Sequence, residues 1–261
     1  MMTAHRSLPA ADIVLALRAA GCVFAEDEAR LLIESTPFPP ELSKRVERRV
    51  AGEPLEVILG WAEFAGMRIE IDPGVFVPRR RTEYLVRQAL KRGSPGAIVV
   101  DLCCGSGAVG AAMASAIPGI RLFASDIEPA AVACARRNLA GVGDVFEGDL
   151  FDPLPTSIHG WVDLLLVNAP YVPTNEIATM PSEARNYEPR ITLDGGADGL
   201  AVHRLVIAAA PAWLASGGTL LIETGTQQAP VAAALVEQAG LSSRIAHSRK
   251  RGATVVLGTQ A

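Results

Sequence analysis

The sequence predicts an α/β protein in which a small helical leader and a β-hairpin precede one mostly parallel sheet. Three observations carry this reading. From residue 83 onward, strand-like and helix-like patterns alternate along the chain. The run over residues 97–102 is continuously apolar up to its final acid and leucine, as in a strand buried on both faces of a parallel sheet. The last two strand-like stretches, residues 243–247 and 253–257, have only a turn between them, so they must pair antiparallel.

In chain order, residues 12–20 carry apolar side chains at helical spacing, and Gly21 is the expected stop. Residues 26–34 form a second helix closed by Thr36-Pro37, and residues 41–50 a third, charged on most faces and ending near Gly52. Between residues 57 and 78 the pattern changes: Ile69 and Ile71 alternate with polar residues, and Asp72-Pro73-Gly74 is a turn, so a β-hairpin is expected there. Residues 78–83 then lead into the alternating region. The expected helices are 84–91, one from Ala108, 129–139, 200–214 and 229–239. The expected strands are 97–102, 121–125, 144–147, 162–167 and 219–223, before the final antiparallel pair. This divides the chain into a recognition leader, 1–82, and a catalytic domain, 83–261.

Composition bounds the function. The chain has 261 residues, 49% of them hydrophobic and 20% charged, enough for a buried core and unlike a disordered chain. Aromatics are only 5%, so the core is built from Ala, Val, Leu and Ile. A net charge of −4 does not advertise nucleic acid or an anionic membrane. The four cysteines, Cys22, Cys103, Cys104 and Cys134, show no zinc-type spacing, and adjacent Cys103 and Cys104 suit a disulfide poorly. Reduced thiols in a cytoplasmic protein are expected. No signal-peptide pattern and no membrane-length apolar run is present. His5, His159, His203 and His247 lie in separate segments, so no metal site is expected.

The chemistry begins at Asp101-Leu-Cys-Cys-Gly105-Ser106-Gly107, between a buried strand and a helix. There the backbone must turn sharply and approach a ligand, which glycine permits. Gly105, Gly107 and Gly110 match GxGxxG, a pattern that also fits dinucleotide dehydrogenases. Three acids narrow the choice toward S-adenosyl-L-methionine. Asp101 can meet a cationic amino group, Asp126 (followed by Ile127) can take two ribose hydroxyls, and Asp149 stands where adenine is recognised. Leu150 and Phe151 would wall the adenine ring. Each acid alone could be a turn or helix cap. Together they fall at the C-terminal ends of three consecutive strands, where open α/β sheets hold ligands.

Asn168-Ala169-Pro170-Tyr171 follows the fourth strand. It resembles the Asn-Pro-Pro-Tyr motif of enzymes that methylate nitrogen conjugated into a π system. Such a nitrogen is planar, and its delocalised lone pair attacks poorly. The Asn168 side-chain oxygen and the Ala169 carbonyl can accept its two N–H groups, hold it in line, and favour the charge that develops on it. Tyr171 can pack on the flat target.

Taken together the chain resembles the HemK-like protein-(glutamine-N5) methyltransferases, which act on peptide chain release factors. The resemblance rests on Gly52-Glu-Pro-Leu-Glu-Val-Ile-Leu-Gly60, Pro78-Arg79-Arg80-Arg81-Thr82-Glu83, the Asp101 loop, residues 168–171, and Tyr187-Glu188-Pro189 followed by Asp194-Gly-Gly-Ala-Asp-Gly-Leu200. It implies a class I S-adenosylmethionine-dependent methyltransferase: a Rossmann-like, seven-stranded sheet with an antiparallel last strand. It implies cofactor contacts at Cys103, Cys104, Gly105, Ser106, Gly107, Asp126, Leu150 and Asn168, to which the reading of the strand ends adds Asp101, Ile127 and Asp149. Substrate contacts are implied at Asn168, Ala169, Pro170 and Tyr171; the residues themselves add Arg79 as a candidate contact and Glu188, which either shapes the mouth or caps a turn before Pro189. The expected partner is a protein bearing a target glutamine, a release factor in the first place; a monomer is expected, with no stable nucleic acid and no membrane. The chain departs from the family at Arg80 and Arg81, at Cys103 and Cys104, at Ala169 and in its short leader, as a divergent paralogue with another protein substrate would. Arg79, Arg80 and Arg81 either contact a ligand or are solvated and paired with Glu83.

Two other classes compete. A nucleic-acid amino methyltransferase shares the Asn-Pro-Pro-Tyr logic but needs a basic track along phosphates. A non-catalytic S-adenosylmethionine-binding module shares the fold, since fold does not guarantee activity.

Overall fold

The computed structural model describes residues 9–261, so His5 and the first eight residues of the leader lie outside the described residues. The leader forms four helices: α1 (Ala10–Ala19), α2 (Ala25–Ser35), α3 (Pro39–Val50) and α4 (Leu55–Leu59). Ile13 and Leu17 are four apart on α1, and Leu42 and Val46 on α3, so each helix turns one apolar stripe inward. With Ala29, Leu32 and Ile58 they make a core separate from that of the sheet. Gly21 lies in the left-handed region after α1, where the expected stop falls. The α4 helix is an addition to the predicted elements; at five residues it is too short to show periodicity.

Arg49 ties the leader together. Its side chain is only 10% exposed and pairs with Glu28 of α2 at 2.6 Å. It also donates to the Glu53 carbonyl at 3.0 Å and lies 3.5 Å from Glu183.

The hairpin consists of β1 (Trp61–Phe64) and β2 (Met67–Glu70). Its turn is Ala65-Gly66, both at positive φ, and not Asp72-Pro73-Gly74 as the sequence reading has it. Two consecutive left-handed residues match the twist of a tight hairpin, a geometry that proline at position 73 could not supply. Phe64 and Ile69 are buried against the sheet rather than in the leader's core.

After a single turn of 3-10 helix at Arg80–Thr82 come α5 (Glu83–Leu90), β3 (Ile98–Leu102), α6 (Ala108–Ala116), β4 (Arg121–Asp126), α7 (Pro129–Asn138), β5 (Gly143–Glu147) and β6 (Val162–Val167). Then follow α8 (Ser182–Tyr187), α9 (Ala201–Trp213), β7 (Leu214–Thr224), α10 (Ala229–Gln238), β8 (Ser242–Ser248) and β9 (Ala253–Thr259). The sheet has seven strands in the order β5-β4-β3-β6-β7-β9-β8. The first five are parallel, and β9 enters antiparallel between β7 and β8. This is the predicted class I architecture.

Side chains alternate between the two faces with the period of a strand. Val99, Leu164 and Leu166 pack under α5, α6 and the hairpin, while Val100, Leu165 and Val167 pack under α9 and α10. The β7 strand starts five residues earlier than its apolar run, because residues 214–218 pair irregularly with β6 where Gly217 and Gly218 lie. Residues 172–199 carry no sheet strand and form a strap over the carboxyl edge; its one α-helix, α8, flanked by 3-10 turns at Ile177–Thr179 and Arg190–Thr192, has no counterpart among the predicted elements.

Replacing Arg49 by Ala leaves Glu28 half-buried and unpaired. We expect a loss of about 3 kcal/mol in urea unfolding. Arg30→Ala, which breaks only exposed pairs, should cost less than about 1 kcal/mol. Equal effects would refute the anchoring role of Arg49.

Candidate active site

Parallel register sets the site. Leu102 of β3 stands level with Ser125 of β4 and with Val167 of β6. Asp101, Asp126 and Asn168 therefore reach the same sheet edge although they are far apart in sequence. They line one cavity of about 250 Å³, closed by residues 76–82 on one side and the strap on the other.

At one end the β3–α6 loop bends over the edge. Cys103, Gly105 and Gly107 all have positive φ. A side chain with a Cβ is disfavoured in that region, so Cys103 sits in a conformation that glycine would take more easily. Gly110 acts through its size instead. A Cβ there would press on Leu122 and on the Asp101 carboxyl, so its absence lets α6 lie close to the sheet. The Gly110 N–H donates to Asp101 Oδ2 at 2.9 Å. Among the described residues Asp101 is buried without a cationic partner, and burial pushes its carboxyl up to about 8, the Gly110 N–H opposing this and the Asp126 charge adding to it.

Asp126 accepts from Gly105 N at 2.8 Å and from Glu128 N at 3.0 Å, one bond to each oxygen. Each oxygen keeps a second lone pair for a ligand. Burial raises the Asp126 carboxyl, and these backbone donors lower it. Ile127, Asp149 and Leu150 continue the lining. Leu150 also has positive φ, and its carbonyl accepts from Ser125 Oγ at 2.7 Å. Phe151 does not line the cavity as expected; it turns into the core and stacks on Trp213 at 5.0 Å.

At the other end stand Asn168, Ala169, Pro170 and Tyr171. Asn168 Nδ2 lies 3.5 Å from Thr82 Oγ1. The Tyr171 hydroxyl donates to Glu223 Oε1 at 3.3 Å, and its ring meets His203 edge-on at 6.5 Å. Burial first, then the Glu223 charge, pushes the phenol up to about 12, so Tyr171 stays neutral. The strap holds this loop by its backbone. Val172 N–H donates to Leu193 O and Gly195 N–H to Val172 O; from outside the strap, the Gln228 side-chain Nε2 donates to Tyr171 O at 2.9 Å. Gly199, at positive φ, lies so close that a Cβ would overlap the Tyr171 carbonyl. That explains the last glycine of Asp194-Gly-Gly-Ala-Asp-Gly-Leu200.

The basic run splits. Arg79 reaches Glu188 at 2.5 Å, and Glu188 is almost fully buried, so these two mouth residues bind each other. This pair joins the segment before α5 to the strap. Arg81 lies 3.4 Å from buried Glu223, with its guanidinium 5.8 Å from the Tyr171 ring centroid. Arg80 is exposed and only 3.8 Å from Glu63. Glu83 pairs with Arg251 instead of the run. Thus the expected site residues line one cavity, except Gly107, Phe151 and Glu188. Gly107 turns the loop away from the cavity, against Leu139 and Ala135, and Glu188 lies just behind Arg79. Thr82 and Glu223 touch Asn168 and Tyr171, yet sequence reading gives neither a role: Thr82 lies in the Pro78–Glu83 stretch without being singled out, and Glu223 lies in no motif. The one signal for Glu223 is an acid at the end of an apolar strand.

An open parallel sheet with a glycine-rich loop, acids at consecutive strand ends and Asn-Ala-Pro-Tyr at the fourth defines an S-adenosylmethionine-dependent methyltransferase. The residues present fit that cofactor. The buried Asp101 carboxyl lacks a cation, Asp126 keeps free lone pairs, and Ile127 and Leu150 offer apolar surface. Residues 66–184 match the methyltransferase small domain family. The release factor glutamine methyltransferase of Geobacter sulfurreducens is 38% identical over 82% of this chain and 75% of its own length. The 4-amino-L-phenylalanine/4-methylamino-L-phenylalanine methyltransferase of Streptomyces pristinaespiralis is 36% identical over 82% of this chain and 75% of its own. A methyltransferase structure from Pyrococcus furiosus superposes with a TM-score of 0.57 at 15% identity, covering 84% of this chain and 99% of that one. The chain belongs to the family of release factor glutamine methyltransferases.

Gly199→Ala should cost about 2 kcal/mol or more in thermal or urea unfolding, from left-handed strain together with overlap on Tyr171. Gly240→Ala, with open space around its Cβ, should cost only the strain. Equal costs would refute the close approach at Tyr171.

Proposed function

We propose that this protein transfers a methyl group from S-adenosyl-L-methionine to the side-chain amide nitrogen (N5) of a glutamine in a release factor. The observation that carries this is the placing of Asn168-Ala169-Pro170-Tyr171 on the same cavity as Asp101 and Asp126. The names of its bacterial relatives supply the substrate.

The cofactor supplies an electrophilic methyl group on a sulfonium sulfur. Asp101 would hold its ammonium group, Asp126 its ribose hydroxyls, and Asp149 and Leu150 its adenine, with residues 103–107 and Ile127 completing the cradle. Asn168 Oδ1 and the Ala169 carbonyl accept the two N–H groups of the target amide. They thereby orient its nitrogen and stabilise the positive charge that develops there. Among the described residues, no backbone N–H from a turn or loop occupies the Ala169 carbonyl. Tyr171, neutral and held by Glu223, packs on the flat target. The amide proton becomes acidic once the nitrogen is alkylated and can leave to water, so no strong base is required.

The leader, 1–82, serves as the recognition part and 83–261 as the catalytic part. Arg79 and Glu188 shape the mouth between them. We propose a cytoplasmic monomer that holds no nucleic acid; no described helix is long and apolar enough to cross a membrane. The Streptomyces relative supports the chemistry from another side. The 4-amino-L-phenylalanine it is named for carries a nitrogen conjugated to a ring, as an amide nitrogen is conjugated to its carbonyl.

Labelled methyl transfer, tested in parallel on a purified release factor, a whole-cell protein extract, 4-amino-L-phenylalanine and total nucleic acid, checks the reading. Label on the release factor that disappears when its target glutamine is replaced is expected. Label confined to another acceptor overturns it. Asn168→Ala should lower turnover by about 2–4 kcal/mol of transition-state stabilisation while cofactor binding persists; an unchanged rate refutes the role of Asn168.

Asp101 makes binding pH-dependent. Its folded-state pKa is raised, so below about 8 the ligand-free carboxyl keeps its proton. Pairing with an ammonium needs the ionised form, so binding must release that proton, and affinity should weaken as pH falls from about 8. Titration calorimetry in buffers of different ionisation enthalpy checks this. Binding without proton release near neutral pH would exclude the Asp101–ammonium pair.

A further inference from the structure

We propose that Arg80, Arg249 and Lys250 form a basic docking rim beside the cavity, which receives an acidic surface of the acceptor protein. This rests on the reading of the acceptor as a release factor, and it names the chemistry by which that protein is recognised outside the cavity.

Sheet topology brings these residues together. The β9 strand pairs antiparallel with both β7 and β8, so β8 runs in the same direction as β7. Thr224 at the end of β7 stands level with Thr254 of β9, and Thr254 with His247 of β8. The 3-10 turn Arg249–Arg251 follows β8 directly and therefore lies at the carboxyl edge, as the cavity does. Two strand spacings, about 10 Å, separate the end of β8 from the end of β7. Arg251 docks this turn on the segment before α5. Its Nη1 donates to the Arg80 carbonyl at 3.4 Å and pairs with Glu83 at 2.7 Å. The Tyr84 hydroxyl adds a bond to the His247 carbonyl at 3.3 Å. Next to Arg80 in the chain, Arg81 lines the cavity itself.

The cations of this edge divide into held and unheld. Arg79, Arg81 and Arg251 are each committed to an acid that is at least largely buried: Glu188, Glu223 and Glu83. Arg80 is 80% exposed, and its only acid, Glu63, is exposed too and 3.8 Å away, a contact worth little in water. Arg249 and Lys250 are exposed and make no ion pair among the described residues. The chain as a whole carries a net charge of −4, so a basic rim is a local exception on an acidic protein. A protein whose glutamine enters the cavity brings its neighbouring surface against this edge. Carboxylates on that surface would meet Arg80, Arg249 and Lys250, which speeds encounter and fixes orientation. A nucleic acid fits less well, because it needs cations spaced along its phosphates, whereas these stand at one place with Glu63 and Glu83 among them.

The test is a double charge reversal at the rim, Arg249→Glu with Lys250→Glu. Its control makes the same charge change toward the opposite edge of the sheet, at two exposed residues: Arg121→Glu at the start of β4, with Lys91→Glu after α5. The acceptors are a purified release factor and a short uncharged peptide carrying its target glutamine. On the release factor at low salt, the rim reversal should raise KM by about 10-fold or more while kcat and S-adenosylmethionine affinity stay unchanged. Added salt should raise the KM of the parent and narrow the gap. On the peptide, parent, rim reversal and control should agree within about 2-fold, since an uncharged chain has nothing for the rim to hold. The control should match the parent on both acceptors. An unchanged KM for the release factor, or an equal rise on the peptide, overturns the proposal. So does an RNA mobility shift that the rim reversal abolishes while KM for the protein stays put. Calorimetric binding of the release factor, which needs no turnover, separates this proposal from the function it rests on. A parent that binds the factor through the rim but labels nothing refutes the function alone; one that neither binds nor labels it refutes both.

Discussion

Parallel pairing of β3 with β4 on one side and β6 on the other is the constraint on which the site depends. Parallel strands run in the same direction, so their carboxyl ends fall on one edge, and each strand hands its terminal polar residue to that edge. Asp101, Asp126 and Asn168 meet there without any local sequence tie between them. The burial that stabilises this pairing is the alternation of Val99, Leu164 and Leu166 on one face with Val100, Leu165 and Val167 on the other. A one-residue slip would exchange these faces and turn Asp101, Asp126 and Asn168 away from the edge together.

Two kinds of force hold the cavity's rim. On the backbone side, residues 194–199 lie against residues 170–172 at distances only glycine allows. On the side-chain side, two buried carboxylates, Glu188 and Glu223, draw Arg79 and Arg81 across the mouth. A buried carboxylate costs much to strip of water and is retained where its geometry specifies something. Here each acid ties the segment before α5 to a different wall of the cavity: Glu188 to the strap, Glu223 to β7. The same few residues join the leader and hairpin to the catalytic sheet. Tyr187 adds to the connection, its hydroxyl donating to the Ala51 carbonyl at 3.1 Å.

The two ends of the cavity differ in electrostatic character, and that difference suits a transfer between a charged donor and a neutral acceptor. Asp101 is buried and Asp126 partly so; burial raises both carboxyls, and among the described residues neither meets a cation. Around Tyr171 and Asn168 the buried charge already has its counterpart, Glu223 with Arg81, and the phenol stays neutral. A cationic ligand is drawn to the first end, and a neutral planar amide is accommodated at the second.

Much was legible in the chain itself, because the signals were local. The continuous run before Asp101, the helix-starting Pro129, the glycines at residues 105 and 107 and the tetrapeptide from Asn168 each act within a few residues, and each matches the structure in place and kind. The sequence by itself therefore determined the seven-stranded α/β sheet, its antiparallel close and the edge at which Asp101, Asp126 and Asn168 line the cavity. It misplaced the hairpin turn, since Asp72-Pro73-Gly74 is the stronger local turn signal while Ala65-Gly66 is the one that strand pairing selects. It could not show the strap, whose stability comes from backbone contacts between distant segments. Only tertiary structure decided which acid each arginine of the run would meet, and that Thr82 would stand beside Asn168. Those choices depend on contacts across up to about 140 residues of chain, and no local periodicity encodes a partner at that distance.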